Sequence, residues 1–141
     1  MILGIGTDVV DIVRIREKVT AREAFSKMVF SEAEIAYCER VKNKFESYAA
    51  RFAAKEALLK ALGTGLSISH ELNEIEVRHQ PSGKPYLVLS AKLEEKVKEV
   101  FGVTRFSMHL SLSHSSQVAT AFVIIESVEG ILDVGIRISD W

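Results

Sequence analysis

Residues 51–65 read RFAAKEALLKALGTG, and how this run folds decides the architecture. Ala54, Leu58, Ala61 and Leu62 recur at helical spacing and form one packed face. Gly63 and Gly65 then supply the positive backbone angles of a cap and turn. Glu56 and Lys60 stand one turn apart in this helix. An acid four residues ahead of a base is the favourable order for an exposed ion pair, an arrangement of small energetic value. Phe52, Ala53, Leu59 and Ala49 crowd the same side, however. Charges hemmed in by apolar neighbours equally describe a partly buried site. Both readings stand on these residues alone.

Upstream, Ile2 to Val10 is rich in Ile and Val and reads as a strand ending near Asp8. Asp11 is placed to cap a short helix with Ile12, Ile15 and Val19 inward. Arg14, Lys18 and Arg22 recur every fourth residue as a basic stripe, and Phe25 follows one turn on if that helix persists. Ser31 with Glu34 is a capping-box signature for a helix reaching about Val41. Lys42 to Ser47 reads as a connection, or as a break before the helix at 51–62.

Downstream, the alternation of Asn73 to His79 predicts a strand with Ile75 and Val77 on one face. Pro81-Ser82-Gly83-Lys84 is a turn, and Tyr86 to Leu89 returns as its partner. Ala91 to Phe101 is an amphipathic helix closed by Gly102. Phe106 to Ser113 and Ala121 to Ile125 are further strands. Helices ahead of antiparallel strands give the class α+β. Ser127 to Trp141 alternates Leu132, Val134, Ile136 and Ile138 with polar residues, which predicts an added strand.

The 141 residues suit one domain, 48% apolar and 26% charged with a net charge of -1. That balance gives no global attraction to nucleic acid. Cys38 is the lone cysteine, so no internal disulfide forms. The first residues lack a basic region ahead of an apolar core, and no window has the length of a membrane span. A soluble cytoplasmic chain is expected, with no nucleic acid and no membrane as partner.

Asp8 follows Gly4-Ile5-Gly6-Thr7 and reads as a turn or cap acid. Paired with Glu56, it becomes half of a set of hard carboxylates suited to magnesium, with Lys60 facing the same phosphates as a point charge. Neither GxGxxG nor GxxxxGK[ST] is complete here. In Ser111 to Ser116, SLSHSS, adjacent strand residues point to opposite faces, so Ser113 and His114 do not form a nucleophile pair. His114 reads either as a core-edge histidine or as a ligand contact. His70, His79, His109 and Cys38 have no zinc spacing. Gly83-Lys84-Pro85 is a hairpin turn that also presents a lysine to an anion.

Taken in order, GIGTDVVDIVRI, FSEAEIAYC, RFAAKEALLKALGTG, GKPYL and SLSHS, with the apolar strand after them, resemble the holo-[acyl-carrier-protein] synthases, small bacterial 4'-phosphopantetheinyl transferases. The likeness runs from residue 2 to about 126, making 1–126 the transferase domain and 127–141 an extension.

The resemblance implies transfer of 4'-phosphopantetheine from coenzyme A to a serine of apo acyl carrier protein, for fatty acid biosynthesis. Adenosine 3',5'-bisphosphate is the product released. Magnesium would be held by Asp8 and Glu56 against the pyrophosphate, with Lys60 on those phosphates. Glu56, directly or through water, is the candidate acceptor of the serine proton. Arg51, Gly83, Lys84, Pro85 and His114 would line the adenosine and 3'-phosphate region. Arg14 would meet the acidic helix of the carrier, with Lys18, Arg22 and Phe25 extending that contact away from coenzyme A. A homotrimer with sites between subunits is implied, the metal side from one chain and the hairpin and His114 from the next. Thr7 and Ser115 depart from the pattern, and no base is assigned beside His114.

Two rivals fit the same residues. A binding module would use the basic stripe to hold an acidic protein and consume no coenzyme A. A magnesium-dependent nucleotide hydrolase would act without any carrier.

Overall fold

A computed structural model describes residues 1–63 and 71–128. The elements run β1 (Ile2–Asp11), α1 (Ile12–Ala21), α2 (Glu23–Val29), α3 (Glu32–Arg40), α4 (Lys44–Leu62), β2 (Ile75–His79), β3 (Pro85–Leu89), α5 (Ala91–Phe101), β4 (Phe106–His114) and β5 (Val118–Ser127). This is the α+β class. One antiparallel sheet has the order β1-β5-β4, and β2-β3 form a separate hairpin. The Gly63-Thr64-Gly65 turn beyond its first residue, His70 and the tail strand through Leu132 to Ile138 lie outside the described residues.

Helix α4 is the axis of the core. Ala49, Ala53, Ala54, Ala57 and Leu58 are fully buried, and Gly63 ends the helix with φ of 75°. The three-stranded sheet lies against it through Ala119, Ala121, Val123 and Ile125 of β5. Strand β1 approaches α4 closely because two of its inward residues have no side chain. A Cβ at Gly4 would strike the carbonyl oxygen of Ala61, and one at Gly6 that of Ala57. The GIG run is therefore a packing requirement set by backbone contact, not a nucleotide loop.

Strand β1 does not end near Asp8 but continues to Asp11. Asp8 thus sits inside the strand, opposite Ala121 of β5. Asp11 occupies the N-cap of α1 but makes no side-chain capping bond. The helix bearing the basic stripe stops at Ala21, and Arg22 is extended, with φ of -143°. Phe25 accordingly belongs to a second helix. The capping box of α3 forms as expected, with Ser31 Oγ accepting from Glu34 N at 3.1 Å and Glu34 Oε1 from Ser31 N at 3.0 Å.

Candidate active site

Alternation along β1 carries Asp8 to the same side as Gly4 and Gly6, toward α4. There Lys60 Nζ donates to Asp8 Oδ1 at 3.0 Å. The helix lysine therefore pairs across to the strand, and among the described residues no ion pair joins it to Glu56. Glu56 lines a cleft of about 200 Å³ with Asp8, Asp11, Arg14, Lys18 and Phe52. Burial raises the pKa of Glu56 above the ordinary carboxylate value, and the charge of Asp8 adds to the rise. Lys60 and Lys18 offset only part of this. The pair is thus a concentration of negative charge that its own surroundings do not fully neutralise.

Arg14 and Lys18 lie in this same cleft. Two residues of the basic stripe therefore wall the acidic site, where the sequence reading set the stripe away from the phosphates, while Arg22 lies outside this cleft. Lys18 Nζ also stands 5.7 Å from the Phe25 ring centroid and 5.9 Å from that of Phe52. Glu17, Ala21, Arg22 and Phe25 line the groove continuing outward from it. The groove survives the break at Arg22 because α2 folds back beside α1.

A second cleft, of about 440 Å³, gathers Arg51, Gly83, Pro85 and His114. Lys84 stands outside it, lining a neighbouring hollow with Tyr86 and Met108. Arg51 is almost wholly buried, and its Nη1 donates to Ser47 Oγ at 2.6 Å. Its guanidinium lies 4.5 Å from the Tyr37 ring centroid, and the His79 ring stacks on Tyr37 at 6.0 Å. Burial, with Arg51 nearby, lowers the pKa of His79 below the usual histidine value. His114 Nδ1 is 3.6 Å from Glu46 Oε2. The two clefts have no lining residue in common.

Sequence reasoning missed Tyr37, Glu46, Ser47 and His79 in this second cleft. It also missed Lys55, which is completely buried. Lys55 had a signal, since it falls between Arg51 and Leu58 on the packed side of the wheel. Its pairing with Glu34, 21 residues away, had none.

These elements and clefts define a 4'-phosphopantetheinyl transferase. The sequence model of the 4'-phosphopantetheinyl transferase superfamily matches residues 4–122, and the chain belongs to that family. Among curated relatives, the holo-[acyl-carrier-protein] synthase of Cytophaga hutchinsonii is 49% identical over 124 residues, covering 88% of this chain and 97% of the relative. That of Clostridium tetani is 44% identical over 126 residues, covering 89% and 97%. Among solved structures, the Neisseria meningitidis synthase superposes with a TM-score of 0.79 at 33% identity, covering 90% of this chain and all of that one. A Bacillus anthracis synthase in complex with CoA (3',5'-ADP) gives 0.73 at 36%, covering 90% and 98%.

Proposed function

We infer that the chain is a holo-[acyl-carrier-protein] synthase, moving 4'-phosphopantetheine from coenzyme A to a serine of apo acyl carrier protein. The observation that carries this reading is the meeting of Asp8, Glu56 and Lys60 beside one cleft, in a chain of this family. The serine oxygen forms a bond to the pantetheine-side phosphorus. The bond from that phosphorus to the bridging oxygen breaks, and adenosine 3',5'-bisphosphate leaves. Such a transfer depends on positioning and charge neutralisation more than on covalent chemistry.

Asp8 and Glu56 are the residues that would hold magnesium. The fit rests on their chemistry: two oxygen donors, one kept from easy ionisation by burial and by the other's charge. Among the described residues no group of three or more His, Cys, Asp or Glu could hold the ion, Asp11 only lining the same cleft, so the remaining positions would fall to water and phosphate. Bound there, the ion would supply charge neutralisation for the pyrophosphate. Lys60 would leave Asp8 for the phosphates, stabilising charge on the leaving side. Glu56, with its raised pKa, is the group we assign to take the serine proton.

Arg51, Gly83, Pro85 and His114 would hold the adenosine end, with Lys84 at the rim. Arg14, Lys18, Arg22 and Phe25 would receive an acidic carrier helix, with phosphates and carrier sharing the wall at Arg14 and Lys18. A homotrimer accounts for the separation of the two clefts, each site combining one chain's metal side with the next chain's hairpin. Ile5, Val9 and Phe122, exposed on the sheet face turned away from α4, suit such an assembly. No described helix is long and apolar enough to cross a membrane, in keeping with a site of action in the cytoplasm.

Incubation with coenzyme A, magnesium and apo carrier, followed by the carrier's mass, tests the reading. The carrier should gain one phosphopantetheine. Hydrolysis without carrier would favour the nucleotide hydrolase, and no coenzyme A consumption would favour the binding module.

A further inference from the structure

Lys55 and Glu34 form a buried ion pair that none of the chemistry above uses. Lys55 Nζ donates to Glu34 Oε1 at 2.6 Å, to Val29 O at 2.6 Å and to Leu72 O at 2.9 Å. All three ammonium donors are thus spent. Glu34 accepts in turn from Ser31 N through Oε1, and from Val77 N through Oε2 at 2.9 Å. One pair of side chains ties α4 to the end of α2, the start of α3, the segment at Leu72 and strand β2. Side-chain relative exposures are 0% for Lys55 and 1% for Glu34, so water supports none of these bonds.

The place of Lys55 on α4 gives the pair a reach beyond packing. Arg51 lies one turn before it on the same side of the helix, at the wall of the larger cleft. Phe52, Glu56 and Lys60 form the neighbouring stripe, about 100° around the axis at 3.6 residues per turn. A small rotation of α4 would move both stripes at once. The alanine seam toward β1 resists approach, and the Lys60–Asp8 bond across it, with its lysine 57% exposed, holds that rotation only weakly. Lys55, with three acceptors from three segments, fixes it. Through Val77 N the same pair holds the β2-β3 hairpin, which carries Gly83 and Pro85.

We propose that Glu34 and Lys55 are positioning residues of the transfer reaction, fixing the rotation of α4 and the seat of the hairpin so that both clefts keep their geometry. This rests on the transfer activity inferred above. Replacing a buried ion pair by apolar groups is often neutral for stability, whereas removing one partner is strongly destabilising. Lys55→Met should therefore lower the denaturation midpoint sharply, and Glu34→Gln/Lys55→Met should recover most of that loss.

The decisive readout is kinetic, taken where each variant is fully folded. The double variant should keep a kcat reduced by about tenfold or more, since small misplacements at such sites cost up to about a hundredfold. Its KM for coenzyme A should rise several-fold, while the KM for carrier stays within about twofold, the α1 face being untouched. A double variant of wild-type stability and wild-type kcat would overturn the proposal and leave the pair a packing device.

Should the double variant fail to fold, Glu34→Gln alone serves. Its amide keeps an acceptor for Lys55 but sets an N–H against the Val77 N–H, loosening the hairpin. A raised KM for coenzyme A is then expected, and unchanged kinetics in that folded variant would equally overturn the proposal. Wild-type protein assayed alongside separates the questions: if it transfers nothing, the activity reading fails before the pair is tested.

Discussion

Glu56 carries its charge at a cost set by burial and by Asp8, and that cost is measurable. Its pKa is raised by burial and by Asp8, so the ionised form is disfavoured in the fold. Glu56→Gln should raise the metal-free Tm by roughly 2–4 °C at neutral pH by scanning fluorimetry. The same variant should lose transfer by about a hundredfold or more. Lys60→Ala should change stability little, because Lys60 is 57% exposed in its pair with Asp8. Its kcat should still fall by roughly a hundredfold; a wild-type rate would return that pair to the surface category. Glu39 behaves in the opposite sense. Hydrogen bonds from Tyr48, at 2.8 Å, and from Lys44 hold its pKa below the ordinary value. The stability this contributes is present above the unfolded carboxylate pKa and is lost as pH falls through the folded one. Tyr48→Phe should cost about 1 kcal/mol or less at pH 7. Denaturation series should show that cost shrinking through the acidic range.

Between elements, the decisive contact is β1 on α4. Gly6→Ala would push a methyl into the Ala57 carbonyl, a backbone atom unable to step aside. Overpacking of this kind costs about 1–3 kcal/mol. Transfer should fall further than the Tm shift alone explains, because Asp8 is carried away from Glu56. On α1, Arg14→Glu should raise the KM for carrier and flatten its salt dependence. Since Arg14 borders the acidic cleft, the KM for coenzyme A should also move, by a smaller factor. The elements legible in the sequence were those specified locally: α5 between the Ser90 cap and Gly102, the Ser31/Glu34 box and the hairpin around Gly83. The break at Arg22 was not legible, because no glycine or proline marks it and tertiary packing of α2 imposes it. The Glu34–Lys55 pairing spans 21 residues, and a single chain holds no local signal for such a partner. Asp8, Glu56 and Lys60 were legible as a candidate set from residue chemistry and spacing, and motif resemblance joined them into one site. Their shared wall follows from Gly4 and Gly6, which let β1 lie close on α4.

At the scale of the whole molecule, two clefts with no lining residue in common make the proposed subunit sharing testable. Asp8→Ala chains mixed with Lys84→Glu/His114→Ala chains should regain part of the lost activity on co-refolding, since mixed trimers contain an interface with both halves intact. Verified mixed trimers without activity would argue against shared sites, as would an active monomer. A different consequence follows from the central position of β5. Among the described strands β1 pairs with β5 alone, Asp11 meeting Val118 and Asp8 meeting Ala121. During synthesis β1 must therefore wait for this pairing until β5 leaves the ribosome. A loop closed over so long a stretch costs entropy and delays folding. The nascent chain cannot bring Asp8 and Glu56 together early, and a chain cut before β5 would leave the strand of Asp8 without its described partner.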